Sequence, residues 1–114
     1  MMESQIELDS KRIELLDKFK QALPDLSAAQ YAMLDEVYKD GALSSKVKRL
    51  ISLAVALRAG CTNCILAQTK RALETEATKD EILETLSVAV AMSGNTGVAE
   101  SLRVVELLSE LGKL

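Results

Sequence analysis

Apolar side chains recur at three- and four-residue intervals along almost the whole chain, the period of helices packed on one face. Ile13, Leu16, Phe19 and Leu23 form the first stripe, within Ser4 to Leu23, and Pro24 ends it. Asp25-Leu26-Ser27 offers a second start with Ser27 as N-cap, and Tyr31, Leu34 and Tyr38 mark the buried face that follows. Asp40-Gly41 closes that helix. Ser44 or Ser45 caps a third, running to about Ala59. Its Val47, Leu50, Ile51, Ala54, Val55 and Leu57 leave little polar surface, which predicts a central position. A fourth helix runs from the Cys61–Cys64 stretch to about Thr75. Thr78 with Glu81 three residues later is a capping box for a fifth, which carries Ile82, Leu86 and Val90 up to Gly94. Asn95 or Thr96 caps a sixth, with Val98, Leu102, Val105 and Leu108 as its stripe. Gly94-Asn95-Thr96-Gly97 reads as a loop, since it lacks the spacing of a phosphate-binding turn. The pattern predicts an all-α fold, a compact bundle of about six helices forming one domain over residues 1–114.

Composition narrows this picture. Apolar residues make up 48% of the chain and aromatics only 3%, with a single proline, which suits close helix contacts rather than a β-sandwich. At 114 residues the core is modest, and more apolar helix surface is present than a small bundle can hide. Faces shared between copies, and hence a homo-oligomer, are expected. No apolar run reaches 18 residues, so no membrane association is expected. The polar, acidic start Met1-Met2-Glu3-Ser4 does not read as a secretory signal, which points to a cytoplasmic protein. A net charge of −3 argues against nucleic-acid binding.

Candidate chemistry is concentrated in Gly60-Cys61-Thr62-Asn63-Cys64, which holds both cysteines of the chain. Gly60 breaks one helix and the dithiol opens the next. Unpartnered N–H groups at a helix start favour a thiolate over a thiol, and positions three apart on a helix are neighbours. One sulfur can then attack and the other resolve. Charge is uneven around the pair. From Gly41 to Leu73 there is no acidic residue but there are six cations, Lys46, Lys48, Arg49, Arg58, Lys70 and Arg71. The rest of the chain has eight basic and seventeen acidic residues, a net −9. Cations beside a thiol lower its pKa further. The chain has no histidine. Serine or cysteine triads that need one are excluded, as is a c-type haem site. Two thiols alone do not close a zinc site within one subunit, so neither metal nor cofactor is expected.

Leu43-Ser44-Ser45-Lys46-Val47-Lys48-Arg49-Leu50-Ile51, the Cys-x-x-Cys and then Ala77-Thr78-Lys79-Asp80-Glu81-Ile82 together resemble the carboxymuconolactone decarboxylase superfamily, in particular its AhpD-like alkylhydroperoxidase branch. The resemblance covers roughly residues 20 to 110. It implies an all-helical fold, a trimer or hexamer, and a thiol peroxidase or disulfide reductase that acts on a hydroperoxide or disulfide and is recycled by a dithiol electron donor. It also implies that Cys64 attacks the peroxide and Cys61 resolves. The branch carries Glu twelve residues before the first cysteine, where this chain has Arg49, and His four residues after the second, where it has Gln68. The His often found directly before the second cysteine is Asn63 here, and Glu76 stands where Gly is common. Gln68 can orient a thiol or a water but cannot act as a base near pH 7. Arg49 is the candidate to stabilise a thiolate by charge in place of proton abstraction, and Glu74, Glu76 or Glu100 of a neighbouring copy could supply an acid or base. Two other readings stand beside the oxidoreductase: a non-catalytic oligomer or redox-sensing subunit that keeps the dithiol, and a lyase acting on a small anionic lactone.

Overall fold

The computed structural model describes residues 2–114, and among them the backbone forms six helices joined by short connections. They are α1 Gln5–Ala22, α2 Pro24–Val37, α3 Ser45–Ala59, α4 Thr62–Glu74, α5 Lys79–Ser93 and α6 Asn95–Glu110. The expected all-α bundle is what the chain forms. α3 is central, packed against α4, α5 and α6. Leu53, Ala56 and Leu57 of α3 meet Ile65 and Ala72 of α4, Ile82, Leu86 and Ala89 of α5, and Val104 and Leu108 of α6 in one buried cluster.

Helix starts follow local chemistry. Ser4 caps α1 through Glu7, Ser44 caps α3 through Val47, and Thr78 and Glu81 exchange hydrogen bonds as a capping box for α5. Two expected starts differ. α2 begins at Pro24, in the first helical position where proline's missing N–H is no loss, and Ser27 lies buried inside the helix with an unpartnered hydroxyl. α6 begins at Asn95 directly after Gly94, so residues 94–97 are not a loop, and neither Asn95 nor Thr96 is the cap.

The buried faces also differ from the apolar stripes in places. On α6 the buried face is Gly97, Ser101, Val104, Leu107 and Leu108, whereas Val98 and Leu102 are exposed. Gly97 sets this rotation. A methyl group there would lie 2.8 Å from the Ala89 carbonyl oxygen and 2.9 Å from the Val90 Cα, so α5 and α6 meet backbone to backbone. On α3, Ile51 and Val55 face outward. On α1, Ile13, Phe19 and Leu23 are exposed, Leu16 is half-buried, and the buried residues are Gln5 and Asp9. Tyr31, Leu34 and Tyr38 of α2 are half-buried.

α1 is therefore held to the bundle by polar contacts. Asp9 pairs with Lys70 of α4 at 2.6 Å and with Arg12 at 2.8 Å. The Glu110 carboxylate, at the end of α6, accepts hydrogen bonds from the Ser4 hydroxyl and the Gln5 N–H, both at 2.6 Å, and so caps α1 from across the molecule. α2 folds back on α1, with the Lys20 ammonium 4.5 Å from the Tyr31 ring centre.

α4 ends at a left-handed residue, Glu76, with φ of 69°. The Ala77 N–H reaches the Ala72 carbonyl and the Glu76 N–H that of Leu73, the bonding of a helix end that favours glycine. A side chain in that conformation costs about 1 kcal/mol, which accounts for glycine being common at this place in the related branch.

The Ser4 hydroxyl and the Gln5 and Ile6 N–H groups hold the Glu110 carboxyl below its ordinary pKa, against a smaller opposing effect of burial. The folded value is the lower one. This contribution is therefore complete above the unfolded carboxyl pKa and disappears as pH falls through the folded value. Glu110→Gln is expected to melt below the wild type at pH 7, with the two melting temperatures converging below about pH 4. A gap that stays constant with pH would contradict the cap.

Candidate functional site

The site is built at the junction of α3 and α4. Gly60 adopts a left-handed conformation, φ 69° and ψ 29°. Its N–H reaches the Leu57 carbonyl and the Cys61 N–H that of Ala56, so α3 ends in a tight reversal. The next residue, Cys61, is extended and serves as the N-cap of α4, with its sulfur accepting the Cys64 N–H at 3.3 Å. Cys61 and Cys64 are at disulfide distance, with Cα atoms 5.2 Å apart. Cys61 is half-buried and Cys64 is exposed. The dithiol thus opens the fourth helix, as the spacing predicts, and Cys64 is the more exposed of its two residues.

Gln68 lies one turn after Cys64, on the same side of α4. Its side-chain oxygen accepts a hydrogen bond from the Arg49 guanidinium at 3.1 Å. Arg49 also stacks on Tyr38, with its central carbon 3.3 Å from the ring centre. The Tyr38 hydroxyl is 2.5 Å from that of Ser52, which in turn bonds the Lys48 carbonyl at 2.9 Å. Burial pulls the Arg49 pKa below its ordinary value, opposed by Tyr38 and Glu74, with Arg71 adding to the decrease. The group remains a cation at any physiological pH. The positions that hold Glu and His in the related branch are therefore in contact here through Arg49 and Gln68, as a donor and an acceptor rather than as a proton relay. Tyr38 and Ser52 complete this arrangement and were not legible as site residues. Both come from other helices, and no sequence spacing links them to the cysteines.

The basic block resolves mostly into local pairs. Lys46 bonds Glu81 at 2.9 Å, Lys70 bonds Asp9, and Arg71 bonds Glu74 at 2.9 Å. Lys48 caps the end of α2 by donating to the Val37 and Lys39 carbonyls. Arg58, in the last turn of α3, makes no ion pair among the described residues. The acidic group beside the junction is the chain's own Glu100. A methyl group added at Gly60 would lie 3.9 Å from its carboxylate. Glu74 faces Arg71, and Glu76 is exposed. Among the described residues no group of three or more His, Cys, Asp and Glu is placed to hold a metal, and no helix is long and apolar enough to cross a membrane.

The profile of the carboxymuconolactone decarboxylase family matches residues 24–107, which take in the helical bundle and the Cys-x-x-Cys. The chain belongs to this family. It is 35% identical over 77 residues to an uncharacterized protein of Cupriavidus necator, a match covering 68% of each chain. Among solved structures it is similar to a carboxymuconolactone decarboxylase family protein of Legionella pneumophila, with a TM-score of 0.88, 30% identity, and 96% of this chain and 97% of the other covered. It is also similar to a Thermotoga maritima family member described as having a suggested part in the antioxidative response, with a TM-score of 0.67, 31% identity, and 76% and 91% covered. Members of the AhpD-like branch are consistent with these matches.

Proposed function

We propose that this protein is a thiol oxidoreductase that reduces a hydroperoxide or a disulfide through Cys64 and Cys61 and is recycled by a dithiol donor. The observation that carries the reading is the unequal placement of the two sulfurs. Cys64 is open to solvent, and Cys61 takes a backbone N–H. With a hydroperoxide, the Cys64 thiolate attacks the terminal oxygen, the S–O bond forms and the O–O bond breaks. The alkoxide leaves and takes up a proton as an alcohol. The Cys61 thiolate then attacks the Cys64 sulfenic acid, the disulfide forms, and hydroxide departs as water after protonation. In the return step a donor thiolate attacks the exposed Cys64 sulfur and displaces Cys61. The Cys64 N–H stabilises that departing thiolate, and a thiolate of lower pKa leaves faster. The donor's second thiol releases Cys64, and the donor becomes the disulfide. The suggested antioxidative role of the Thermotoga maritima relative supports this direction.

Protons in this scheme come from solvent, because Gln68 and Arg49 stand where a relay would be. A positioned acid or base contributes typically about 10²- to 10⁴-fold, so turnover is slow by that order. In this reading Arg49 stabilises the thiolate through its charge, from its place beside Gln68 one turn after Cys64. The same pairing favours, as a second reading, a redox-sensing protein whose dithiol responds without rapid turnover.

The protein also works as a homo-oligomer in this proposal. A monomer of 12.4 kDa exposes about 6,100 Å², against 7011 Å² here. The difference, about 900 Å², is near one partner's share of a standard interface. Exposed Ile13 and Phe19 of α1, Leu23 at the turn after it, and Leu26 and Met33 of α2 supply an apolar face for it.

Trapping distinguishes the roles of the sulfurs. Cys61→Ser, oxidised on Cys64 by hydroperoxide, is expected to hold a stable mixed disulfide between Cys64 and an added monothiol, with water as the other product, and Cys64→Ser to form none and to consume no hydroperoxide. Peroxide consumption that survives Cys64→Ser would overturn the oxidoreductase reading, while fast disulfide formation without turnover would favour the sensor. Arg49→Ala is expected to raise the pKa of the reactive thiol by about half a unit, read from the pH dependence of alkylation; an unchanged profile removes Arg49 from the site. Sedimentation equilibrium is expected to give a trimer or hexamer that Phe19→Asp shifts toward monomer. A wild-type monomer at high concentration would refute the assembly.

A further inference from the structure

Arg49 is a cation without an anion. It pairs with no carboxylate among the described residues. It is also half-buried, so folding strips part of its water and returns no counter-charge. Charges taken out of water are as a rule paired. The other charged side chains that bear on it are Arg71 and Glu74. These bond each other at 2.9 Å, so they cancel and a single positive charge stands.

The guanidinium is also fixed in place. Tyr38 covers one face of it, with the ring centre 3.3 Å from the central carbon, and the Tyr38 hydroxyl is held by Ser52 at 2.5 Å. One of the five N–H groups of an arginine goes to the Gln68 side-chain oxygen, at 3.1 Å. A guanidinium has no acceptor, so the oxygen of that amide must face it and the amide NH2 must face elsewhere. That NH2 is left for another acceptor. Arg49 and Gln68 thus offer donors and one full charge, and no acid, one turn along α4 from Cys64.

The ligand that fits is a carboxylate, whose two oxygens take the planar fork of a guanidinium two bonds at a time. The Cys64 thiolate is not a lasting partner for this cation, because its charge passes to the leaving group when it attacks. A thiolate also repels an anionic substrate, and a cation beside both offsets that repulsion. We propose that Arg49 and Gln68 hold the carboxylate of the molecule that Cys64 attacks, so that the substrate is an anionic hydroperoxide or disulfide rather than a neutral one. This rests on the reading of Cys64 as the attacking sulfur and names its substrate class.

The test compares two alkylating agents of nearly equal size, iodoacetate and iodoacetamide, on the reduced Cys61→Ser protein, in which Cys64 is the one thiol. In both reactions the thiolate forms the carbon–sulfur bond and iodide leaves, so the thiolate fraction cancels in the ratio of the two rates. Adding Arg49→Gln is expected to lower the iodoacetate-to-iodoacetamide ratio about threefold or more, the fold-change that half a pKa unit represents. Arg49→Lys is expected to keep most of the ratio. With Arg49 intact, raising salt from about 0.02 M to about 0.5 M is expected to lower it. A ratio unchanged by Arg49→Gln would overturn the inference; if that variant does not fold, a ratio independent of salt does so. A ratio that falls with Arg58→Gln and not with Arg49→Gln overturns it too, since the charge felt at Cys64 is then Arg58. Steady-state kinetics test the substrate class. Of two aryl hydroperoxides that differ only in a ring carboxylate, the wild type is expected to favour the anionic one in kcat/KM, mainly through KM, and Arg49→Gln to lose that preference. Equal kcat/KM for the two in the wild type sinks the proposal and leaves the oxidoreductase reading standing. Turnover of neither refutes the oxidoreductase reading instead, and the alkylation ratio still decides whether the anion site exists.

Discussion

The left-handed turn at Gly60 is the constraint on which the site depends. Because the chain reverses there in a single residue, α3 ends and α4 begins with only Cys61 between Gly60 and the helix. Cys61 consequently falls at the N-cap, where a serine or aspartate oxygen would normally accept the hydrogen bond. A sulfur does so instead, and the third helical position brings Cys64 to it. A side chain at residue 60 would meet little steric resistance, its nearest neighbour being the Glu100 carboxylate at 3.9 Å. The requirement for glycine is therefore conformational. Central placement of α3 keeps this turn fixed, since Leu53, Ala56 and Leu57 anchor the last two turns of α3 in the core.

Around that fixed dithiol, charge acts at short range. A block of six cations without an acidic residue suggests a broad positive field. Folding brings acidic residues from α1 and α5, and from the end of α4, onto three of these six cations. What remains near the dithiol is specific: Arg49 held flat on Tyr38 and joined to Gln68, and Arg58 at the end of α3. Burial in contact with an aromatic face and an amide suits a guanidinium better than an ammonium. Arg49 and Gln68 stand as a hydrogen-bonded pair that holds neither an acid nor a base near pH 7.

α1 and α2 show a different balance. Their attachment to the bundle is polar, through Asp9 with Lys70 and Glu110 with the start of α1. Several of their apolar side chains, Ile13, Phe19, Leu26 and Met33 among them, are exposed, while Leu16, Tyr31 and Leu34 are half-buried. Hydrogen bonds and ion pairs fix the orientation of the arm.

Local chemistry made much of this legible in the order of residues. Capping at Ser44 and Thr78, the break at Gly60 and the helical period follow from interactions within four residues, and so the number of helices, their approximate limits and the position of the dithiol could be read directly. Distinguishing the core from an outward apolar face could not. Val98 and Leu102 on α6, Ile51 and Val55 on α3, and the stripe of α1 are as hydrophobic as the buried positions beside them. The rotation of each helix is set by close approaches such as Gly97 against Ala89, between residues distant in sequence. The same limit applies to the site. Both cysteines lie within one helical turn, so spacing alone joins them. Tyr38, Arg49, Ser52 and Gln68 come from three helices, and only the packing of α2, α3 and α4 brings their side chains together.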